Sequence, residues 1–323
     1  MAHDVPERLS CPVVSVGNLT VGGSGKTPFV ILAAGMAREG GWRPGVLSRG
    51  YGGRRRHDPL LVSGAEEPVA SWREAGDEPV LLAHAVPGAA VAVARKRLDA
   101  GRLLLERGLA DLLILDDGFQ HRHLHRDLDL VLIRTDNPFG NGRLLPAGPL
   151  REPLRGLSRA DAVVLTACPD PDSPMVAELE DRIREAAEWA VPFLHARTDA
   201  AGLMDPRSGE TRPPESLKGC RVYAFCGLAD PLPFRRTLMR HGAMIAGFRA
   251  FSDHHRYSPR DLRSIYREAE EREAEILITT EKDAIRLEGM EIPSDHPPHV
   301  LAIRTVLWYP DRLRKMLAGL RGS

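Results

Sequence analysis

Thr20-Val21-Gly22-Gly23-Ser24-Gly25-Lys26-Thr27 is the stretch whose residue types most directly promise chemistry. It follows an apolar run and opens a segment of helical length, the setting of a G-x-x-x-x-G-K-[ST] phosphate loop, with Thr20 standing where the first glycine belongs. Consecutive backbone N–H groups and the positive end of the following helix make an anion cradle. Lys26 reaches toward the β- and γ-phosphates, and the Thr27 hydroxyl is placed to ligate Mg²⁺. The competing reading is a glycine-rich turn that only joins strand to helix, and the strand–loop–helix context favours the phosphate loop.

Phosphate-loop proteins usually organise Mg²⁺ with an acidic residue at the end of a second strand. Leu112-Leu113-Ile114-Leu115-Asp116-Asp117 has that form, four apolar residues suited to a buried parallel strand followed by two carboxylates. Alternation along an extended chain points Asp116 and Asp117 in different directions, so one of them is expected to approach the metal directly. A solvated Asp-Asp-Gly turn is the alternative.

The following Gly118-Phe119-Gln120-His121-Arg122-His123-Leu124-His125-Arg126 spaces three histidines at i, i+2 and i+4. A zinc site needs a fourth ligand and a matching second pair, which no cysteine here offers, so a polar, positively poised loop near phosphates is the better reading. Two further loops carry arginines suited to bidentate phosphate recognition: Ser48-Arg49-Gly50-Tyr51-Gly52-Gly53-Arg54-Arg55-Arg56, and the 141–153 segment with Arg151 and Glu152. Either could equally be a solvated arginine loop. Asp77, in Gly76-Asp77-Glu78-Pro79, reads from composition as a helix N-cap. Phe251-Ser252-Asp253-His254-His255-Arg256-Tyr257-Ser258 gathers acid, base and aromatic groups at a strand end, and Thr279-Thr280-Glu281-Lys282-Asp283 is another helix start with capping-box residue types.

The elements that must position these residues are short apolar strands alternating with helices, the pattern of an α/β fold with crossover helices. Strands are expected at 13–16, 44–48, 89–94, 112–115, 128–133 and 162–166, with helices at 26–38, 78–85, 95–107 and 174–189. Between 193 and 214 two alternating runs about Asp205-Pro206-Arg207-Ser208-Gly209 read as a hairpin. Beyond it come strands at 221–225, 244–250, 275–279 and 299–303 and helices at 233–241, 259–271 and 311–320. The expected organisation is a P-loop NTPase-like domain over 1–198 with a mostly parallel sheet flanked by helices, a hairpin linker over 199–214, and a smaller α/β domain over 215–323.

Composition bounds the rest. The chain has 323 residues, 43% of them apolar and 27% charged, enough to bury a substantial core. Its 44 Lys and Arg balance 44 Asp and Glu, which argues against a globally electrostatic partner such as duplex DNA. Cys11, Cys168, Cys220 and Cys226 are scattered, as expected for reduced thiols in the cytosol. The first eight residues lack the apolar core of a secretion signal, and the tempting 79–94 stretch is interrupted by His84, Pro87 and Gly88. No spanning segment is expected, although attachment to a membrane surface through an apolar face with arginines stays open.

Taken together, the motifs resemble those of the tetraacyldisaccharide 4'-kinase family, the lipid A 4'-kinases of Gram-negative bacteria. The resemblance runs in the family's order through 16–28, Leu47-Ser48-Arg49-Gly50-Tyr51-Gly52, Gly76-Asp77-Glu78-Pro79, Leu115-Asp116-Asp117-Gly118-Phe119-Gln120-His121, Pro149-Leu150-Arg151-Glu152-Pro153, Phe251-Ser252-Asp253-His254-His255 and Thr280-Glu281-Lys282-Asp283. It includes the threonine in place of the first phosphate-loop glycine. The resemblance implies transfer of the ATP γ-phosphoryl group to the 4'-hydroxyl of a tetraacylated, 1-phosphorylated glucosamine disaccharide. By motif the family's catalytic aspartate and histidine fall on Asp77 and His254, which sets the capping reading of Asp77 aside. Lys26, Thr27, Mg²⁺ and Asp116 or Asp117 would neutralise the transferring group, with Arg49, Tyr51, Gln120, His121, Arg151 and Glu152 at or near the same centre. The implied setting is a monomer acting peripherally on the cytoplasmic face of the bacterial inner membrane. Family members usually begin with a hydrophobic or amphipathic N-terminal helix, whereas here the first motif arrives within about fifteen residues, so attachment is expected through another surface. A kinase or ATPase of a soluble small molecule, or a nucleotide-dependent switch, is the alternative.

Overall fold

The computed structural model describes residues 5–64 and 70–322, so half of the N-terminal stretch read for a secretion signal lies outside the described residues. In chain order the elements are β1 (Val13–Asn18), α1 (Lys26–Glu39), β2 (Pro44–Ser48), β3 (Leu60–Ser63), α2 (Trp72–Ala75), α3 (Asp77–Ala85), β4 (Ala90–Val93), α4 (Arg97–Glu106), β5 (Leu112–Asp116), β6 (Leu128–Arg134), β7 (Ala162–Thr166) and α5 (Pro174–Ala187). They continue with β8 (Phe193–Met204), β9 (Thr211–Arg212), β10 (Arg221–Cys226), α6 (Leu232–Arg240), β11 (Met244–Ala250), α7 (Pro259–Glu271), β12 (Ile276–Thr280), α8 (Glu281–Leu287), β13 (His299–Leu307) and α9 (Pro310–Gly319). The α/β class with a mostly parallel sheet is as expected.

Two units divide the chain, 1–198 with 305–323 and 199–304. In the first, strands run in the order β8-β7-β6-β1-β5-β2-β4-β3, all parallel except β3 against β4. Helices cover both faces, which is why β1, β5 and β7 are buried along their whole length and read as unbroken apolar runs. One core joins Val131, Ile133, Val163 and Leu165 to Val176, Leu179 and Ile183 of α5; another joins Leu47, Ala92, Leu113 and Leu115 to Leu98 and Leu104 of α4. The phosphate-loop strand β1 lies between β5 and β6, with Val16 opposite Asp116, so the carboxyl ends of β1 and β5 open at one edge of the sheet.

The second unit holds four parallel strands in the order β11-β10-β12-β13, with apolar clusters on both faces. The chain divides differently from the expected 1–198, 199–214 and 215–323. The hairpin is no separate linker: β8 is one strand of 12 residues whose end pairs with β9 in the second unit. The last residues return to the first unit, where α9 buries Leu313 and Leu317, Arg314 meets Glu39 at 3.5 Å and Arg321 donates to the Gly40 carbonyl at 2.7 Å. An amphipathic helix names its apolar stripe but not the partner that covers it. The short β3 and α2 add to the expected elements, α8 extends the helix start expected at 279–283, and β13 runs on past residue 303.

Candidate active site

The 19–25 loop leaves β1 and enters α1 at Lys26, with Gly25 left-handed at φ 82° as the residue before the helix. Asn18, fully buried, closes the loop's base by donating its amide to the Thr20 carbonyl at 2.7 Å and to the Ser24 hydroxyl at 2.9 Å. The Thr166 hydroxyl at the end of β7 donates to the Ser24 carbonyl at 3.0 Å, and Arg134 donates to the Gly23 carbonyl at 3.0 Å. These contacts tie the loop down, and the Val21 and Ser24 amides are themselves spent on the Pro149 and Gly22 carbonyls, at 2.8 and 3.1 Å. A Cβ on Gly22 or Gly23 would meet nothing within 4 Å, which is room for phosphates against bare backbone.

Asp116 and Asp117 part company as alternation requires. Asp116, 4% exposed at the end of β5, accepts from the Ser48 hydroxyl at 3.0 Å. Burial, then Glu78 and Asp117, push its carboxyl up to about 6. Asp117 turns into the left-handed region at φ 54°, a conformation that aspartate tolerates better than most residues. Its carboxylate accepts two contacts from Arg151 Nη1, at 2.9 and 2.8 Å, and lies 3.6 Å from Lys26 Nζ. Against the cost of burial, Lys26 and Arg151 hold this carboxyl below the usual range.

Arg151 continues into a chain of polar groups. Its Nη1 also donates to Gln120 Oε1 at 3.3 Å, and Gln120 Nε2 donates to the Asn18 carbonyl and to Glu152 Oε1, both at 2.9 Å. Glu152 in turn accepts from Arg122 at 3.0 Å and Arg159 at 2.7 Å. One connected network therefore joins Lys26, Asp117, Arg151, Gln120 and Glu152 at the carboxyl edge of the sheet. His121 is pushed down to about 4, by burial first and then by Arg97, His123, Arg126 and Arg49, so the ring is neutral at physiological pH. Among the described residues no group of three or more His, Cys, Asp and Glu could hold a metal ion.

Acid weakens the fold through His121. Its folded value lies below the unfolded one, so its contribution is complete above about 6.5 and is lost as pH falls toward 4. Because the ring is half-exposed, about 1 kcal/mol of stability is expected to disappear across that window. In urea titrations at pH 7 and pH 5, His121→Gln should lack this increment of acid sensitivity.

Asp77, 4% exposed, is the first residue of α3 rather than its cap, and its Oδ1 accepts from the Glu78 amide at 2.9 Å. The 49–53 loop is pressed onto the backbone before it. A Cβ on Gly76 would stand 2.6 Å from the Tyr51 carbonyl, and one on Gly53 would stand 2.4 Å from the Glu74 carbonyl. Gly76 also has φ 96°, so no other residue fits there without moving the loop or Asp77. Arg49 and Tyr51 of this loop are exposed, while Arg55 ties it down by donating to the Arg49 carbonyl at 3.0 Å.

In the second unit His254 stands at φ 55° between β11 and α7. Its Nδ1 is 3.5 Å from Arg286 Nη2 and its Nε2 is 3.7 Å from Asp253 Oδ2. Lys282 Nζ lies 3.7 Å from the other oxygen of Asp253. His255 points elsewhere, stacking on Phe251 with ring centroids 4.5 Å apart and meeting Asp261 at 3.3 Å.

A family model described as tetraacyldisaccharide-1-P 4'-kinase matches residues 3–320. This chain belongs to that family. The tetraacyldisaccharide 4'-kinase of Syntrophus aciditrophicus (strain SB) is 45% identical over 291 residues, covering 88% of this chain and 77% of that protein. The tetraacyldisaccharide 4'-kinase of Geobacter sulfurreducens is 45% identical over 280 residues, covering 87% and 76%. LpxK from Aquifex aeolicus, solved in complex with ATP, superposes with a TM-score of 0.73 at 35% identity over 98% of this chain and 90% of that one.

Two further residues, Asn18 and Arg97, belong to the site without a chemical signal of their own in the sequence. Asn18 lay inside a quoted motif, but its amide reads as ordinary polarity until the loop folds over it. Arg97, 6% exposed, donates to the Asp116 carbonyl oxygen at 3.4 Å, and burial lowers its guanidinium from the ordinary value. Its only sequence signal was position, just past β4, whose carboxyl end lies at the same sheet edge as those of β2 and β5.

Proposed function

We propose that this chain transfers the γ-phosphoryl group of ATP to the 4'-hydroxyl of a tetraacylated, 1-phosphorylated glucosamine disaccharide, using the groups gathered at the carboxyl edge of the first unit's sheet. The observation that carries the reading is the phosphate loop with Lys26 set against Asp117 and Arg151, in a chain of this kinase family. The loop from Thr20 to Gly25 binds the phosphates, its open backbone at Gly22 and Gly23 leaving room for them while the Val21 and Ser24 amides hold the loop's own shape. Lys26 follows the charge that builds on the transferring group, and it is already poised beside an anion.

The donors fit Mg²⁺: the Thr27 hydroxyl and the Asp116 and Asp117 carboxylates are hard oxygens, too few to cage an ion without phosphate oxygens to complete the shell. Lys26 and Arg151 already compensate Asp117, so Asp116 is the carboxylate whose charge asks for the cation. When bound there, Mg²⁺ supplies neutralisation of the phosphate charge.

Asp77 takes the proton of the attacking hydroxyl, and His254 of the second unit is its partner in that task. Arg49, Tyr51, Gln120, His121, Arg151 and Glu152 hold substrate or support the centre. Transfer of label from γ-labelled ATP to the acylated acceptor, with a fully deacylated disaccharide 1-phosphate alongside, tests the reading. Equal use of both acceptors would indicate a kinase of soluble sugars instead.

The acceptor's acyl chains place the reaction at a membrane surface, and we assign this chain, as a monomer, to peripheral association with the cytoplasmic face of the inner membrane. No helix among the described residues is long and apolar enough to cross a bilayer. Helix α6 supports surface attachment: Phe234 and Leu238 are buried beneath it, while Leu232 and Met239 are exposed between Arg235, Arg236 and Arg240. An apolar centre flanked by cations suits an anionic bilayer. Co-sedimentation with vesicles containing anionic lipid at low salt should recover the protein with the lipid, and changing the three arginines to glutamate should reduce this several-fold. Undiminished recovery of the variant would remove α6 from the account.

A further inference from the structure

The Thr280-Glu281-Lys282-Asp283 segment has no task in the reaction above, yet it builds the floor on which His254 rests. Asp283 is fully buried, and its Oδ1 accepts from the Tyr257 hydroxyl at 2.9 Å, the Gly227 amide at 3.0 Å and Arg286 Nη1 at 2.9 Å. Its Oδ2 accepts from the Thr280 hydroxyl at 2.6 Å. Arg286 is 1% exposed and also donates to the Gly227 carbonyl at 2.9 Å. A Cβ on Gly227 would come within 2.9 Å of Arg286 Nη1 and 3.1 Å of Asp283 Oδ1, so this glycine is needed for the guanidinium to lie where it does.

The second terminal nitrogen of that guanidinium, Nη2, faces His254 Nδ1 at 3.5 Å. A guanidinium carries five N–H donors, no acceptor, and keeps its protons throughout the range in which proteins work. The ring nitrogen opposite it must therefore present a lone pair. We propose that Arg286, locked by Asp283, is a positioning residue that sets the tautomer of His254, leaving Nδ1 as acceptor and the ring proton on Nε2. The carboxylate of Asp253 reinforces this from the other edge of the ring, with its Oδ2 3.7 Å from Nε2, while Lys282 holds its second oxygen at 3.7 Å. Arg286, Asp253, Lys282 and Asp283 are charged groups of this network that belong to the second unit.

The proposal rests, for its meaning in catalysis, on His254 being the reaction's histidine. In that role an Nε2–H ring is a hydrogen-bond donor to a carboxylate and takes no proton from it. The sugar proton then ends on Asp77, and His254 remains neutral.

The tautomer can be read directly in the wild-type, full-length protein. With ¹⁵N-labelled histidine at mildly alkaline pH, long-range ¹H–¹⁵N correlation spectra, assigned through His254→Asn, should show a protonated, pyrrole-type Nε2 and an unprotonated, pyridine-type Nδ1 for His254. A protonated Nδ1, or an even mixture of tautomers, would overturn the proposal. Arg286→Met removes the donor but strands Asp283 in the interior, so it is paired with Arg286→Lys, which keeps a donor and a charge. In folded protein the Met variant should mix the tautomers and lower kcat by about tenfold with the KM for ATP unchanged, and the Lys variant should restore most of both. Full activity of His254→Asn would instead refute the histidine's place in the reaction while leaving the tautomer result standing.

Discussion

Asp77→Asn is expected to lower kcat by about a thousandfold, inside the range of roughly a hundred- to ten-thousandfold assigned to general-base catalysis, while the KM for ATP stays within about twofold. The substitution keeps an oxygen that can accept from the Glu78 amide, so the start of α3 is preserved and the carboxylate's basicity is what is lost. A carboxylate serving only as a helix cap would behave differently, costing about 1 kcal/mol of stability and leaving turnover alone. Thermal unfolding and steady-state kinetics of the same preparation separate the two roles, and a fully active variant would remove Asp77 from the chemistry.

Lys26→Met carries the second large effect, a loss of about a hundred- to a thousandfold in kcat/KM together with weaker ATP binding, because a donor aimed at developing phosphate charge is removed. Stability should change little, by less than about 1 kcal/mol, since the 3.6 Å contact of Lys26 with Asp117 is partly exposed and Arg151 still holds that carboxylate. Adding Asp117→Asn to Lys26→Met should therefore leave the lost activity unrecovered. A double variant with restored turnover would show that Lys26 acts only by pairing with Asp117.

Lys26 is a residue that the sequence displays openly, and the reason is local. A phosphate loop is one contiguous segment, and a strand buried on both faces writes itself as an apolar run, so β1, β5 and the residues at their carboxyl ends could be placed before any contact was known. What stayed illegible depends on partners distant in the chain. Nothing in 310–319 says that its apolar stripe returns to the first unit, and nothing around Arg286 says that a buried arginine will face a histidine 32 residues earlier. Thr280 looks like a cap and is one, its hydroxyl accepting from the Asp283 amide at 3.2 Å, but that aspartate's side chain also anchors the guanidinium. Asp77 shows the opposite case: its composition suggested a cap, the family motif suggested a base, and its position as the first residue of α3 leaves the capping role unfilled.

Phosphoryl transfer from ATP to a lipid disaccharide is tested by following both the atom and its destination. Purified protein is incubated with γ-labelled ATP, Mg²⁺ and tetraacyldisaccharide 1-phosphate, the lipid is extracted, and the attachment point of the new phosphate is read by ³¹P–¹H correlation. The account predicts label in the lipid fraction, a product heavier by one phosphate, and coupling of the new phosphorus to the proton at the 4' carbon. Release of labelled inorganic phosphate with an unchanged lipid, or a phosphate attached at any other hydroxyl, would contradict it.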